Sequence, residues 1–413
     1  MLLFILGRQP EIGLAELRAV SSNQAELIAP EIAMIDRGLD WDSMDDFQKK
    51  TARRQFARLG STVKVAEVFG EIPYLSRASL TEALHQKFSN VDGKITLGIS
   101  LYGEKFSTRD SAKVGLGIKN ILRTKNSVRL IPSAEKALNS AAVFHNKLDG
   151  DNIKKSELII VSSNGKIFVA RTIFVQNINS YTLRDRGRPK RDARVGMLPP
   201  KLAQTMINLA TKPAILNDLS IVNHHLDDSH TSRAPVLLDP FCGTGVVLQE
   251  SALMGFNVYG TDIEPRMIDY SEQNLMWLEQ KYRDDFNWKL EVGDATNHTW
   301  QIPIDFVVTE TYLGRPYATI PDEANLRENI ANCEIILSKF LKNLRNQVSD
   351  KTGVCIAVPC WFVRDRIIYL KLIQSLAEIG FEQIFYSSDK KSLIYHRENQ
   401  IVGRELLVLR KKS

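Results

Sequence analysis

A short strand, a glycine-containing turn and a helix follow one another between residues 236 and 254 of this 413-residue chain. The apolar residues Val236 to Leu238 are followed by Asp239, and Gly243-Thr-Gly245 leads directly into an apolar helical pattern. In the first half of a nucleotide-binding crossover, glycines let the backbone approach a ligand, and the free amides at the helix start face it. The segment therefore predicts an α/β fold with a ligand at the turn.

Strand and helix patterns continue to alternate through residues 201–413, which is typical of a mostly parallel, doubly wound sheet. We predict a Rossmann-like α/β domain with a seven-stranded sheet. Residues 364–378 are predicted to form a helix. The two strand patterns that follow, 383–387 and 405–409, have no helix between them and should form an antiparallel hairpin.

Acidic residues close three successive strand patterns of this domain. Asp262 ends the second strand, where a carboxylate can accept from both hydroxyls of a ribose, and Asp294 follows the third, where it can meet an adenine amino group. Asp239 would repel a pyrophosphate but can accept from the amino group of a cationic methionine moiety. These acids favour S-adenosyl-L-methionine as cofactor, and thus a class I methyltransferase domain, over a generic domain whose loop acids face solvent. The candidate cofactor contacts are Asp239, Phe241, Gly243, Gly245, Asp262, Ile263, Asp294 and Ala295.

Residues 1–200 show smaller α/β patterns ahead of this domain. We predict an N-terminal α/β domain of ferredoxin-like type over residues 1–70 and a second α/β domain over 71–175. An irregular basic connector over 176–200 should lead into the methyltransferase domain, residues 201–413, because Gly, Pro and charged residues interrupt the periodicity there.

Three local patterns in the first half of the chain give specific predictions. Residues 27–35 should form one strand and residues 134–147 a helix. The strand patterns 158–162 and 167–174 flank Ser163-Asn-Gly165, which predicts a β-hairpin.

Positive charge is concentrated in the middle of the chain. Residues 101–200 contain 19 Lys and Arg against 8 Asp and Glu, a net charge of +11, whereas the whole chain carries +6. A local excess of this size is expected where a polyanion binds, because each cation that meets a phosphate releases counterions. A solvated basic face is the equally open alternative.

Neither a metal site nor a membrane span is expected. The four cysteines lack the paired spacing of zinc ligands, and the group His224, His225 and His230 lies in a polar stretch that suggests a surface loop. Apolar runs stay well short of the roughly 20 residues that cross a bilayer, so a cytoplasmic protein is expected.

Three segments resemble one known family. The turn Asp239–Gly245 is shared by many methyltransferases. The segment Tyr181-Thr-Leu-Arg-Asp-Arg-Gly-Arg-Pro-Lys-Arg-Asp192 and the following Gly196-Met-Leu-Pro-Pro-Lys-Leu-Ala203 are narrower. Together they resemble the THUMP-domain tRNA guanosine N2-methyltransferases that modify position 10 of tRNA in archaea and eukaryotes. The likeness extends over almost the whole chain, including Phe4–Gly7 and Ala137–Lys147.

The resemblance implies S-adenosyl-L-methionine as cofactor, tRNA as substrate and, as in some relatives, a small activating subunit. It also implies an RNA-binding THUMP module within residues 71–175 and a connector that helps to close the cofactor pocket. The basic side chains of these two regions are the candidate phosphate contacts. They are Lys113, Lys119, Arg123, Lys125, Arg129, Arg184, Arg186, Arg188, Lys190 and Arg191.

The chain departs from the family after the fourth strand of the domain. There the family has Asp-Pro-Pro-Tyr, whose acid and prolyl carbonyl accept the amine hydrogens of guanine while the ring stacks on the base. This chain has Glu310-Thr-Tyr-Leu-Gly314. A gapless match places Glu310 at the acid, and Tyr312 can supply the ring after a shift of one residue.

Three hypotheses follow from this departure. In the first, Glu310 and Tyr312 are the catalytic residues and the family reaction is preserved. In the second, the pocket methylates another nucleotide, at a different tRNA position or in ribosomal RNA. In the third, the chain is a non-catalytic RNA-binding protein in which Glu310 is only a loop acid, although a pure RNA binder has no need of the three strand-end acids.

Overall fold

The computed structural model of the chain describes residues 1–36, 38, 40–192, 197–213, 216, 233–282, 286–398 and 400–412. The chain divides into two compact units. Unit 1 comprises Met1–Ser180 with Ile215–Val222, and unit 2 comprises Tyr181–Ala214 with Asn223–Ser413.

Unit 1 is built on one eight-stranded sheet. Its strands are β1 (Leu2–Leu6), β2 (Glu26–Ala29), β3 (Ile32–Ile35), β4 (Thr62–Ile72), β5 (Gly93–Tyr102), β6 (Asn126–Leu130), β7 (Lys155–Ser163) and β8 (Lys166–Val175). They lie in the order β2-β3-β1-β4-β8-β7-β5-β6. The pairs β5–β6 and β5–β7 are parallel, and the other neighbours are antiparallel.

Among its described residues, unit 1 has five helices, each of which buries at least one apolar side chain. They are α1 (Pro10–Val20), α2 (Asp46–Ala57), α3 (Arg77–Phe88), α4 (Thr108–Leu122) and α5 (Ser140–His145). Side-chain caps fix several starts: Asp45 forms a capping box with Gln48, and Ser107 forms one with Asp110. Strand β1 is buried on both faces, since Leu2 and Phe4 pack in one apolar cluster and Leu3 and Ile5 in another.

The structure confirms the hairpin β7–β8 and corrects three other expectations for unit 1. Asn164 and Gly165 have positive φ angles of 48° and 77°, as a tight two-residue hairpin turn requires. The single strand expected over 27–35 is a hairpin, β2–β3. The helix expected over 134–147 begins only at Ser140, because the side chain of Asn139 accepts from the Ala142 amide, 2.8 Å away, and caps it there.

The expected domain boundary at residue 70 is the third correction. Residue 70 lies inside β4, which pairs with β1 on one side and with β8 on the other. The regions 1–70 and 71–175 therefore share one sheet and belong to a single compact unit.

Unit 2 contains the doubly wound sheet. Its strands are β9 (Val236–Asp239), β10 (Asn257–Asp262), β11 (Trp288–Val292), β12 (Phe306–Glu310), β13 (Gly353–Val363), β14 (Arg366–Ile368), β15 (Phe381–Gln383), β16 (Leu393–Tyr395) and β17 (Val402–Lys411). Seven of them form the order β11-β10-β9-β12-β13-β17-β15, while β14 pairs with β13 and β16 with β17. The first five are parallel, and β17 is antiparallel to its three partners β13, β15 and β16. This confirms the predicted Rossmann-like sheet and places its topological switch between β9 and β12. The expected terminal hairpin is not a simple one, because β16 lies between β15 and β17 in the chain.

The helices of the second half of the chain complete the architecture. They are α6 (Ile178–Arg186), α7 (Pro200–Thr211), α8 (Val246–Leu253), α9 (Pro265–Tyr282), α10 (Glu323–Arg345) and α11 (Leu376–Ile379), with a 3-10 turn at Lys371–Ser375. In the part of the chain that is described, no helix is long and apolar enough to span a membrane.

Two predictions for this half were wrong. The connector is not irregular throughout, because residues 178–186 form α6. The helix expected over 364–378 is absent: Arg364 has a φ of 55°, and the chain turns there so that Ile368 pairs with Trp361. Only the 3-10 turn and the four-residue α11 follow it.

Candidate active site

The turn after β9 exposes backbone at the carboxyl edge of the sheet. Gly243 and Gly245 have φ angles of 51° and 79°, which side chains disfavour. A Cβ at Gly245 would lie 2.9 Å from Ser271 Oγ, whereas a Cβ at Gly243 would meet open space. The Ser271 hydroxyl donates to the Gly243 carbonyl at 2.8 Å and so ties the turn to α9. The turn is therefore held in shape while Gly243 leaves room for a ligand.

Two of the predicted acids meet at this turn. Asp262, at the end of β10, accepts from the amide of Gly243 at 2.9 Å and from that of Glu264 at 3.0 Å. Asp239, at the end of β9, accepts with one oxygen from the Phe241 amide at 3.2 Å and from the Thr309 hydroxyl at 2.6 Å. Each carboxylate oxygen has two lone pairs, so both acids keep capacity for a ligand.

The charge environment of Asp239 favours a cation. Its side chain is buried, and burial together with the nearby carboxylates of Asp262 and Glu310 raises its pKa to about 7, although the hydrogen bonds from Thr309 and Phe241 act the other way. Burial also raises the pKa of Asp262. A buried acid among acids is stabilised in its ionised form by a positive ligand, which is the chemistry expected of the amino group of a methionine moiety.

The remaining predicted cofactor contacts lie around the same edge. Asp294 follows β11 and accepts from the Thr296 amide at 2.9 Å, and Ala295 is buried. Ile263 is 63% exposed directly after β10, where it is free to cover a ligand. The ring of Phe241 packs edge-on against Phe340, with ring centroids 5.1 Å apart.

Glu310 ends β12 beside this site but is not a free acid. Its carboxylate is ion-paired with Arg404 of β17; the Arg404 side chain is buried and that of Glu310 is largely shielded from water. Burial raises the pKa of Glu310, and the neighbouring guanidinium opposes that rise.

The loop after Glu310 is braced at both ends. The amide and hydroxyl of Thr311 donate to the Ala357 carbonyl at 3.0 and 3.1 Å. The side-chain oxygen of Asn329 accepts from the Arg315 amide at 3.0 Å, next to Gly314 with its φ of 83°. Between these points Tyr312 is 42% exposed, which leaves its ring able to stack on a base.

Two connector residues that were predicted to contact phosphate do not reach solvent. Arg184 is 7% exposed and donates to Glu250 of α8 at 2.7 Å. Arg188 is 4% exposed and donates to the Thr244 carbonyl at 3.2 Å and to Gln249 at 3.3 Å. A buried, internally paired guanidinium is not available to RNA, so both assignments are corrected.

The connector instead holds the glycine turn. Asn274 of α9 donates both to the Thr244 carbonyl and to the Lys190 carbonyl, each at 2.9 Å, and accepts from the Lys190 amide at 2.9 Å. With Arg188 it gives the Thr244 carbonyl two donors. Neither interaction was expected from the sequence, because each depends on a partner far along the chain.

The other basic candidates are accessible to different degrees. In the connector, Arg186 and Arg191 are exposed, while Lys190 is half-buried over the ring of Tyr270. In unit 1, Lys119 of α4 is half-buried. The remaining four, around α4 and the edge strand β6, are exposed: Lys113, Arg123, Lys125 and Arg129.

Within the described ranges of the chain, no group of three or more His, Cys, Asp or Glu side chains could hold a metal ion. The histidines 224, 225 and 230 lie outside the described residues.

Comparison with known proteins identifies the family. Residues 232–395 match a family described as a methyltransferase domain. Over 173 residues the chain is 25% identical to tRNA (guanine(10)-N2)-dimethyltransferase of Methanothermobacter thermautotrophicus, covering 42% of each chain. Over 114 residues it is 45% identical to a probable tRNA (guanine(10)-N2)-dimethyltransferase of Methanothermococcus thermolithotrophicus, covering 27% of this chain and 68% of that protein. The chain belongs to the tRNA (guanine(10)-N2)-dimethyltransferase family.

The match to members of this dimethyltransferase family is partial for the longer relatives, because the aligned stretch covers less than half of the Methanothermobacter protein. The fold likeness is wider. The crystal structure of TrmN from Thermus thermophilus superposes with a TM-score of 0.51 at 14% identity, covering 99% of both chains. At 14% identity, this likeness shows only that the chain and TrmN share a fold.

Proposed function

We propose that the chain is an S-adenosyl-L-methionine-dependent tRNA methyltransferase that methylates the exocyclic N2 amine of guanosine 10. The observation that carries the proposal is the buried Asp239 at the switch point, whose neighbours Asp262 and Glu310 are also acidic. The names of the relatives support the choice of tRNA and of N2.

The carboxylates around the glycine turn fit the cofactor. Asp239 would hold the amino group of the methionine moiety, Asp262 the ribose hydroxyls and Asp294 the adenine amino group. When bound, S-adenosyl-L-methionine supplies a methyl group on a positively charged sulfur. The open space at Gly243 lets backbone approach the ligand without a side chain between them.

Glu310 and Tyr312 are the proposed contacts to the target base. The lone pair of the N2 amine is delocalised into the guanine ring, so the amine is a poor nucleophile and must be aligned and relieved of a proton. The Glu310 carboxylate would accept a hydrogen bond from the amine, and the exposed Tyr312 ring would stack on the base. Alignment of this kind can lower a barrier by about 7–11 kcal/mol.

Unit 1 is the proposed RNA-binding part, with a THUMP-like module within residues 71–175. The exposed side chains of Lys113, Arg123, Lys125 and Arg129 lie there, in the region of net charge +11. With Arg186 and Arg191 of the connector they would contact phosphates of tRNA. The substrate makes the cytoplasm the proposed place of action, and a small activating subunit is a proposed partner by family likeness.

Product mapping tests the proposal directly. The purified protein is incubated with labelled S-adenosyl-L-methionine and unmodified tRNA, and the methylated nucleoside is located by mass spectrometry. We expect N2-methylguanosine at position 10 and none in a tRNA with adenosine there. Methylation elsewhere would replace the N2 hypothesis by the second one, and absence of cofactor binding in calorimetry would favour a non-catalytic RNA-binding protein.

Glu310→Gln tests the role of the acid. We expect turnover to fall about hundredfold, the size typical of losing a positioned proton acceptor, with little change in cofactor affinity. Glu328→Gln is the matched control, because Glu328 is an exposed acid paired with Arg315 of the loop that follows Glu310. Full activity in Glu310→Gln would remove Glu310 from the catalytic residues.

A further inference from the structure

The ion pair between Glu310 and Arg404 crosses one strand of the unit 2 sheet. Glu310 of β12 lies opposite Ala357 of β13, and Arg404 of β17 lies opposite Pro359 of β13. Directly paired residues, and residues two apart on one strand, share a face of the sheet. The side chains of β13 on that face between the partners are therefore those of Ala357 and Pro359, and both are small.

The pair engages one oxygen of the Glu310 carboxylate. Arg404 Nε donates to Oε1, and across the described ranges no donor meets Oε2. The backbone next to Glu310 is fixed as well, because Thr311 donates twice to the Ala357 carbonyl. The acid is thus held at its backbone by β13 and at Oε1 by β17, while Oε2 stays available.

Arg404 is also the cation that faces the Glu310 carboxylate. The charged groups that face Glu310 are Arg404 from β17 and Asp239 from β9. Glu310 is 15% exposed and Arg404 is 9% exposed, so water screens the pair poorly. Removing the guanidinium would leave the Glu310 carboxylate without its partner, and a largely buried charge that loses its partner is strongly unfavourable.

We infer that Arg404 is a positioning residue for methyl transfer, which holds Glu310 Oε1 so that Oε2 faces the amine of the target base. The inference rests on the proposed function. Arg404 acts through Glu310 and does not itself touch the substrate. The alternative is that the pair only stabilises the fold.

Arg404→Gln separates these two roles through the pH profile of turnover. Loss of the guanidinium lets burial raise the pKa of Glu310 further, so a larger fraction of the acid is protonated at a given pH. We expect kcat at pH 6.5 to fall about tenfold or more, the loss to shrink as the pH rises, and the Kd for S-adenosylhomocysteine to change less than twofold. Arg404→Lys keeps the positive charge and should therefore retain much of the parent's kcat at acidic pH.

Arg410→Gln is the matched control. Arg410 lies on the same strand and pairs with Glu382 in an exposed site, so its loss should leave turnover and its pH profile unchanged. In a Glu310→Gln background, Arg404→Gln should no longer shift the profile. A shift that persists there, or a profile of Arg404→Gln that is parallel to that of the parent, overturns the inference.

Failure of the proposed function is recognised by a second measurement that needs no RNA. If Arg404 controls the ionisation of Glu310, the destabilisation caused by Arg404→Gln in urea unfolding grows as the pH rises from 5 to 8, because the unpartnered acid ionises. A purely steric role gives a destabilisation that is independent of pH. If the protein transfers no methyl group but the destabilisation by Arg404→Gln grows with pH, the proposed function alone is rejected. If the protein is active, but the destabilisation is independent of pH and the pH profile of turnover is unshifted, the inference alone is rejected.

Discussion

The raised pKa of Asp239 predicts that cofactor affinity depends on pH. If binding needs the ionised acid, a pKa of about 7 means that about 3% of the protein is competent at pH 5.5 and about half at pH 7. Affinity for S-adenosylhomocysteine, which retains the amino group, should therefore increase about 16-fold over this interval, or by about 1.6 kcal/mol. The amino group itself stays largely protonated below pH 7, since α-amino groups titrate near 7.7–8.0.

The direction in which cofactor affinity changes with pH follows from proton linkage. The folded pKa lies above the value of an unfolded aspartate, so the ligand-free protein binds the extra proton and loses stability as the pH rises towards 7. A cationic ligand reverses this by favouring the ionised acid, and binding at pH 5.5 should release about one proton.

Calorimetry checks both quantities. Titrations between pH 5.5 and 7 in two buffers with different ionisation enthalpies give the Kd and the number of protons released. Asp239→Asn should bind weakly and without this slope, whereas Asp269→Asn, at an exposed position on α9, should behave as the parent does. A Kd that is constant over this range, or the same slope in Asp239→Asn, would refute the reasoning.

Two further predictions concern the connector and the basic surface. Glu250→Gln removes the carboxylate partner of buried Arg184 and should lower the free energy of unfolding by about 3–5 kcal/mol in urea titrations. The control is Arg186→Gln, at a side chain that is 75% exposed, which should change the free energy of unfolding by less than about 0.5 kcal/mol. A decrease under about 1 kcal/mol for Glu250→Gln would contradict the role given to the pair. Charge reversal of four exposed residues in unit 1 should weaken tRNA binding and reduce the slope of log affinity against log salt by about 0.9 for each phosphate that is no longer neutralised. Charge reversal of the exposed Lys339 and Lys342 on α10 is the control and should leave that slope unchanged. An unchanged slope in the unit 1 variant would exclude these four residues as phosphate contacts. The four residues are Lys113, Arg123, Lys125 and Arg129.

Local patterns predicted the sheet of unit 2 and the place of its ligand edge. Strand periodicity, Gly243 and Gly245, and the acids at strand ends are short-range signals, and the observed strand order brings Asp239 and Asp262 to one turn. The hairpin β7–β8 was predictable for the same reason, since Asn164 and Gly165 by themselves favour the turn.

Features that depend on distant partners were not predictable. Arg184 and Arg188 look like phosphate-binding residues in a basic segment, and only the fold brings them to Glu250 and Thr244 and buries them. The helix expected over 364–378 failed because the pairing of β14 with β13 outweighs local propensity. Arg404 had a signal, a charged residue inside an apolar strand, but its partner Glu310 is 94 residues away.

The hydrogen bonds and ion pair of the connector also decide where unit 2 can be cut from the rest of the chain. Unit 2 begins at Tyr181, twenty residues before the boundary that the sequence suggests at residue 201. A fragment that starts at Lys201 would lack Arg184 and Arg188, leaving Glu250 without its ion-pair partner and Thr244 with one donor fewer. For expression of unit 2 as an isolated fragment, the segment from Tyr181 onwards is thus part of the fold of that unit rather than a dispensable tether.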